Sequence, residues 1–330
     1  MKRLAVIAAA LLCLAPQIVL AQLNVSIAVF DPGVPDNNAL HRDLQVFPKI
    51  REIESMFLPF VLRQTLVDSG DWGAVRVVPQ ADTASELLIT GTIVHSDGET
   101  LAVELRAVDA RGHEWTNQTY TTQSDFNDLY AGFIDDLRTA RDGFDDRTLR
   151  NIVGTSLMRY SAELAPDAFD GYIEMQPDGT VKLLRLPAEG DPMLARIQRI
   201  RSVEYVMTDA IDQKFRELHQ EVDSVYEVWR KYRRWYTNFK AEEAQRNEFS
   251  KSNADSGTYE AIKQSYDNYR MDRLAAQEQD KWAVGFNNEM EPIIEKMEER
   301  IAEMNGWVED GYVEWARILD ELFEIESGLD

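Results

Sequence analysis

The feature that most constrains this chain is a long helical repeat between Met193 and Phe239. Its apolar and aromatic residues are three or four apart, with one gap between Ile200 and Met207 where Glu204 takes the next expected place, and from Phe215 onward the two steps alternate strictly. The members of the repeat are Met193, Ile197, Ile200, Met207, Ile211, Phe215, Leu218, Val222, Val225, Trp229, Tyr232, Tyr236 and Phe239. Strict alternation gives the 3.5-residue period of a coiled-coil seam. The sequence therefore predicts one long helix that packs against another helix.

The ends of this helix can also be read from the sequence. Asp191 is a favourable N-cap and Pro192 suits the first turn, and the helical pattern runs to about Asn247, a length of about 85 Å at 1.5 Å per residue. A helical pattern resumes at Thr258 and returns over a similar distance. We expect an elongated antiparallel helical hairpin, or stalk, over residues 191–330. A compact three- or four-helix bundle is the alternative.

The residues before this helix alternate between strand and helix patterns. Period-2 alternation and turn residues predict strands at 23–30, 74–78, 86–95, 100–108 and 113–121. Helical periodicity predicts helices at 50–66 and 125–141, the first with a kink or a fresh start at Pro59. This order predicts an α+β domain, with a mixed sheet and helices packed on one face.

The same stretch resembles a known group of envelope domains. The order is a strand with "VSIAVFD", a helix ending "LRQTLVDSGDW", a strand "VRVV", and then "ELLITGTIVHSDGETLAVELRAVDARGHEWTNQTY". It resembles the amino-terminal domain of TolB and the related domains of CsgG and LpoB over about residues 23–141. The resemblance implies a compact α/β fold that binds other proteins of the cell envelope. It transfers no individual functional residue, and neither the propeller repeats of TolB nor a lipobox accompanies it.

A bridging segment separates this domain from the long helix. Asp145 is a good N-cap for a helix that ends at Ala165-Pro166. A β-hairpin follows, with Gly171–Met175 and Thr180–Leu186 around a Pro-Asp-Gly turn. The hairpin either extends the first sheet or forms a small separate collar. The predicted divisions are a signal peptide (1–21), the TolB-like domain (22–141), the bridge (142–190) and the helical region (191–330).

The amino terminus predicts export. Lys2 and Arg3 precede an apolar run, and small residues near Ala21 form a cleavage site, as in a secretory signal peptide. Cleavage there removes the single cysteine, so we expect neither a disulfide nor a thiolate site. We therefore expect a periplasmic protein. The net charge of −23 argues against nucleic acid as a partner.

No catalytic constellation is visible in the sequence. The four histidines form no H-E-x-x-H pattern, and there is no G-x-S-x-G elbow, Walker loop or G-x-G-x-x-G. We therefore predict no catalytic, cofactor-binding or metal-binding residues, and we expect that the chain is not an enzyme.

A basic and aromatic cluster lies on the long helix of this acidic protein. The candidate interaction patch comprises Arg230, Lys231, Arg233, Arg234 and Trp235. As a functional site, it would bind anionic lipid headgroups, lipopolysaccharide or an acidic partner. As a structural feature, its cations would pair with acids on the returning helix, such as Asp272, Glu278 and Asp280.

Together these features predict a periplasmic, non-enzymatic protein-binding or scaffold protein. Its α/β head would dock another envelope protein, and its helical stalk would span distance or self-associate. Peripheral contact with an anionic membrane surface is a further expectation. The alternatives are a periplasmic chaperone that holds clients between helices and a cell-wall hydrolase with an unrecognised site.

Overall fold

The computed structural model describes residues 22–35, 37, 46–123 and 126–253, and isolated helical positions between 263 and 321. Three predictions lie outside these described residues: the signal peptide, the course of the returning helix, and the pairing acids Asp272, Glu278 and Asp280. Among the described helices, none contains a stretch long and apolar enough to cross a membrane.

A five-stranded mixed sheet forms the centre of the fold. The strands are β1 (Val25–Ala28), β2 (Val75–Val78), β3 (Leu87–Ser96), β4 (Leu101–Asp109) and β5 (Glu114–Thr122). They lie in the order β2-β1-β3-β4-β5. Strand β1 pairs in parallel with β2 and β3, and the remaining pairs are antiparallel. The prediction of a mixed sheet is confirmed.

Two helices cover one face of the sheet. They are α1 (Pro48–Ser69) and α2 (Phe126–Asp142). Alternate residues of β3, such as Leu87 and Ile89, are fully buried in one core with Phe57 of α1 and Phe133 of α2. The largest cluster of buried side chains lies on this face, which is therefore the main core. Burial of each such side chain stabilises the fold by roughly 1.5–3 kcal/mol.

Helix α1 runs through Pro59 without a fresh start. Proline cannot donate to the carbonyl four residues earlier, which leaves the oxygen of Ser55 without its helical partner. The backbone N–H of Phe30, just after β1, donates to that oxygen at 2.9 Å. Because of the proline, the Ser55 carbonyl is available to accept a hydrogen bond that joins α1 to the end of β1.

The bridge folds as a helix and a separate two-stranded sheet. Helix α3 (Asp146–Leu164) has Asp145 as its N-cap, whose side chain accepts from the N–H of Thr148 at 2.8 Å. Strands β6 (Ile173–Met175) and β7 (Val181–Leu183) pair only with each other among the described strands. The hairpin packs on α3, where Gly154 lies under Leu183 and Leu186. It does not extend the main sheet.

Helix α4 (Pro192–Asn253) is 62 residues long, as its repeat predicted. Asp191 caps it by accepting from the N–H of Leu194 at 2.9 Å. Its partner differs from the prediction, however. Several seam side chains belong to the main core with α1 and the sheet: Ile211, Phe215, Leu218, Val222 and Trp229.

The prediction that this part of the seam faces a returning helix is therefore wrong. A helical period shows which face of a helix is apolar, but it does not show which surface will cover that face. Here α4 lies against α1 and the edge strand β2. The side chains of Tyr232, Tyr236 and Phe239, farther along the same seam, are outside the described residues.

Candidate functional site

The predicted interaction patch lies where α4 crosses the β3–β4 hairpin. Arg233 donates from Nε to the carbonyl oxygen of Asp97 at 2.8 Å, and Arg230 donates to that of Gly98 at 3.5 Å. Both arginines are buried, and the guanidinium of Arg233 lies 4.7 Å from the ring centroid of Phe47. These two cations hold α4 on the hairpin.

The other three residues of the patch point outward. Lys231 pairs with Glu227 at 2.9 Å, one helical turn away, and both side chains are exposed. Arg234 is exposed, and the Trp235 side chain is 48% exposed. Because successive helical residues diverge by about 100°, the five residues cannot share one face. The structure separates two anchoring arginines from an outer group of Lys231, Arg234 and Trp235.

Gly98 permits this close approach of helix and hairpin. Its φ of +88° lies in the left-handed region, which glycine adopts without a steric penalty. A Cβ at this position would lie 2.5 Å from the Cβ of Arg233 and 3.2 Å from the Trp229 ring. Ser96, Asp97 and Gly98 lie between two predicted strands and have the composition of a hairpin turn, so the sequence predicts a turn here. The structure shows that α4 also packs on this turn.

A buried carboxyl group joins three elements beneath this contact. The side chain of Glu54 on α1 accepts hydrogen bonds from Ser96 of β3 and Tyr226 of α4, each at 2.5 Å. Burial raises the pKa of Glu54, although both hydrogen bonds act in the opposite direction. The Arg51 guanidinium lies 4.0 Å away and donates to the carbonyl of Ile93. The α/β domain (residues 22–141), or head, and α4 are thus joined by a polar network inside the core.

Sequence reasoning missed Glu54 and Tyr226. Glu54 lies one turn after Ile50 and between Ile53 and Phe57, all on the buried face of α1. An acid on an otherwise apolar helical face is the signal that could have identified it. Tyr226 follows the seam position Val225, so strict heptad counting passed over it.

A second polar contact covers the edge of the sheet. The Asp212 carboxylate of α4 accepts from the backbone N–H of Val77 in β2 at 3.1 Å. The same carboxylate lies 2.7 Å from Nε of Arg63 on α1. An exposed strand edge invites pairing with other chains, and here α4 blocks part of it.

Comparisons with known proteins identify no family. No model of a known protein family matches the chain, and no curated protein is significantly similar to it. Within the part of the chain that the structure describes, no group of three His, Cys, Asp or Glu side chains is placed to hold a metal ion. The resemblance to TolB-type domains stays a prediction from the residues.

Proposed function

We propose that this protein is a non-enzymatic scaffold of the bacterial cell envelope. A TolB-like head would bind one envelope protein and carry a rigid helical arm, residues 234–253. The observation that supports this proposal is that α4 is anchored to the head as far as Arg233 and remains helical to Asn253. At 1.5 Å per residue, the arm is about 30 Å long.

The anchor gives the arm a defined direction. Trp229 stacks with Tyr226 at 5.7 Å between ring centroids and meets Phe47 edge-on at 6.1 Å. Tyr226 donates a hydrogen bond to Glu54, and Arg233 donates one to the β3–β4 hairpin. These buried contacts fix the orientation of α4 relative to the head. A partner bound to the arm would therefore be held in a fixed position relative to the head.

The outer group at the base of the arm has the composition of a binding surface. Trp and Arg are enriched at protein interfaces and among the residues that dominate binding energy. In a chain of net charge −23, Lys231 and Arg234 supply local positive charge for an acidic partner. An anionic membrane surface is the other ligand that this chemistry suits.

Two further parts of the proposal rest on the sequence. The residues before Gln22 read as a signal peptide, which supports a periplasmic location. The heptad spacing continues through Tyr232, Tyr236 and Phe239. This spacing supports self-association or an antiparallel coiled coil beyond the head.

Site-specific photo-crosslinking in cells tests the proposal. A photoreactive amino acid would replace Trp235 or Lys231 in the full-length chain, and Gln64 on the exposed side of α1 as the control. We expect a defined adduct with one envelope protein from positions 235 and 231. Substitution of Arg234→Glu should abolish this adduct.

The same cells test the location. The protein should appear in the periplasmic extract with Gln22 as its first residue. Retention in the cytoplasm with Met1 intact would contradict the envelope assignment. Identical adducts from all three positions, or no adduct from positions 231 and 235, would contradict the binding role.

A further inference from the structure

The two edges of the main sheet differ in how the rest of the chain covers them. At the β2 edge, the Asp212 carboxylate of α4 accepts from the N–H of Val77 at 3.1 Å, so part of that edge is covered. The opposite edge is strand β5, which pairs with β4 on one side. Among the residues that the structure describes, no strand pairs with its other side. An exposed edge strand is a template on which another chain can pair.

The hydrogen-bond pattern shows which backbone groups of β5 point into the sheet. Antiparallel pairing directs the backbone groups of successive residues alternately to the two sides of a strand. The N–H of Asp109 in β4 donates to the carbonyl of His113 at 3.0 Å, so Asp109 points toward β5. The other odd-numbered residues of β4 therefore also point toward β5. Their partners there are Thr116, Gln118, Tyr120 and Thr122.

The residues between these partners form the outer edge of β5. The N–H and C=O of Asn117, Thr119 and Thr121 point away from β4, and all three residues are exposed. Within the described part of the chain, no backbone group bonds to them from outside the sheet. A partner strand pairs with every second residue of an edge strand, which is the spacing of these three. We call Asn117, Thr119 and Thr121 the open edge.

The open edge lacks the features that usually prevent strand pairing. Edge strands are commonly protected by lysine, by proline or by a charged side chain that points inward. The sequence from Thr116 to Thr122 contains no proline and no charged residue. It is rich in threonine, which suits the extended conformation. The β-bulge of this strand lies before Thr116, so it does not interrupt the open edge.

On the helical side of the open edge, α2 presents two carboxylates. The Tyr120 hydroxyl of β5 donates to Asp136 at 2.5 Å. A Cβ on Gly132, one helical turn before Asp136, would lie 3.5 Å from the Tyr120 ring, so this stripe of α2 borders β5. Asp128 lies one further turn along the same stripe and is exposed. A strand added at the open edge would therefore lie beside Asp128 and Asp136.

On the other face of the sheet, β4 presents a third carboxylate. Glu104 is exposed and lies directly opposite Thr119. Directly opposed residues place their side chains on the same face of a sheet, so Glu104 lies beside the open edge. Arg106, the nearest cation along β4, is paired with Glu114 at 2.6 Å. The local charge at the open edge is therefore negative on both faces.

This charge favours a basic partner over a second copy of the chain. Two copies joined at this edge would bring the same carboxylates together, and β5 has no basic residue to meet them. Like charges across paired strands are destabilising, and the net charge of −23 also opposes self-association. A strand with lysine or arginine side chains would be attracted instead.

We propose that the open edge binds an extended, basic segment of another protein, which joins the main sheet as a sixth strand. The backbone of the open edge pairs with the segment, and the carboxylates of α2 and β4 attract its cationic side chains. Backbone pairing supplies affinity and side chains supply selectivity in binding of this kind. The inference rests on the proposed function, because it names the surface with which the head binds a partner. It involves no residue of the outer group.

Hydrogen exchange followed by NMR tests the proposal on the protein of residues 22–330. The probe is a peptide of nine residues, the length of β5, in which lysine and threonine alternate and both ends are blocked. We expect saturable binding, with exchange of the amides of Asn117, Thr119 and Thr121 slowed by about tenfold or more. The Val77 amide is the internal control and should not change. Absence of protection at the open edge would overturn the proposal.

Two control peptides separate backbone pairing from attraction between charges. The first has the same side chains on a fully N-methylated backbone, which keeps the charge but cannot donate to the open edge. The second has glutamate in place of lysine, which keeps the backbone but reverses the charge. Neither should protect the three amides. Equal protection by the first peptide would contradict strand addition, and equal protection by the second would contradict the choice of a basic partner.

Three variants locate the site on the protein. Thr119→Lys places a cation in the open edge, and Glu104→Lys reverses the charge beside it. Each should weaken binding of the lysine peptide by about threefold to tenfold, the range expected for charges on neighbouring strands. Glu189→Lys makes the same change at an exposed position before α4 and should bind as the wild type does. Unchanged affinity in a folded Thr119→Lys or Glu104→Lys variant would contradict the assignment.

Thermal unfolding shows whether each variant is folded, and the control peptides on the wild type decide the question if one is not. Protection of the same amides in the free protein that increases with its concentration would assign the open edge to a second copy instead. Failure of the peptide with crosslinks from positions 231 and 235 intact would overturn the open edge alone. Loss of those crosslinks with peptide binding intact would overturn the role of the arm alone.

Discussion

At the scale of single residues, this protein places ionisable groups inside its core. Arg51 and Glu54 are 1% and 0% exposed. Burial lowers the pKa of Arg51 and raises the pKa of Glu54, and each shift favours the neutral form of the group. The removal of charges from water is costly unless hydrogen bonds replace the lost hydration. Ser96, Tyr226 and the carbonyl of Ile93 provide those bonds. The resulting network specifies where α1, β3 and α4 meet.

The raised pKa of Glu54 predicts a pH dependence of stability. The Glu54 carboxyl group stays protonated to a higher pH in the folded protein than in the unfolded chain, where its pKa has the ordinary value of 4.5. The free energy of unfolding should therefore fall as pH rises above 4.5, by up to about 1.4 kcal/mol per pH unit, until the folded-state pKa is passed. Urea unfolding of the wild type and of Glu54→Gln between pH 4.5 and 8 measures this slope.

The Gln variant should show a flatter dependence over that range, because an amide does not titrate. Parallel curves for the two proteins would show that Glu54 ionises alike in the folded and unfolded chains.

Gly98 offers a second prediction at this scale. Gly98→Ala adds a Cβ that would lie 2.5 Å from the Cβ of Arg233, at a φ of +88°. Gly179→Ala is the matched control, since its φ is +84° and no atom lies within 4 Å of the added Cβ. Both variants carry the backbone strain of about 1 kcal/mol, and Gly98→Ala should lose about 1–3 kcal/mol more through overpacking.

Chemical denaturation of the two glycine variants measures the difference. Equal destabilisation would mean that α4 does not rest on the hairpin at Gly98.

At the scale of elements, α4 completes the sheet domain. The helix places Asp212 against the backbone of β2 and its aromatic residues against α1. The edge strand β2 has four residues, and a strand this short needs support from its neighbours. Helix α4 packs beside this strand and covers part of the edge at which another chain could pair.

Substitution of Asp212 tests the contact between α4 and β2. Asp212→Ala leaves the N–H of Val77 without its acceptor and the Arg63 guanidinium without its ion-pair partner, so the free energy of unfolding should fall by about 2–4 kcal/mol. Asp212→Asn retains an acceptor and should lose less. Hydrogen exchange at the Val77 amide should accelerate in the Ala variant. The control is Asp209→Ala on the same helix, where the carboxylate is largely exposed, and it should leave that amide protected.

At the scale of the whole molecule, the head and the start of the helical region are one folding unit. Six buried side chains of α4 lie in the main core: Ile211, Phe215, Leu218, Val222, Tyr226 and Trp229. At roughly 1.5–3 kcal/mol each, their burial contributes about 9–18 kcal/mol before any allowance for apolar surface that the unfolded chain already buries, which is at least similar to the entire stability of a typical domain. The sheet domain therefore depends on α4 for its stability.

Truncation distinguishes a shared core from a detachable stalk. A fragment of residues 22–190 should lack a cooperative thermal transition and should bind a hydrophobic dye, because its core face is uncovered. A fragment of residues 22–253 should melt cooperatively. An identical, cooperative transition in the shorter fragment would show that the head folds without α4.

Local order along the chain was predictable from the sequence. The strands of the main sheet end within two residues of their predicted limits, and Asp145 and Asp191 cap the helices that follow them. Periodicity, caps and turns depend on residues that are neighbours in the sequence, so one sequence is enough to recognise them. For the same reason, the length of α4 and the tight turn at Gly98 could be predicted.

What covers each surface was decided only by the tertiary structure. The seam of α4 packs on α1 and β2, the β6–β7 hairpin forms its own sheet, and two of the five patch residues point inward. The Glu54 network joins residues from three elements, α1, β3 and α4. An apolar face is stabilised by burial against any complementary surface, since hydrophobic burial is non-directional. The pairing of surfaces therefore depends on the shape of the whole fold, which local periodicity does not encode.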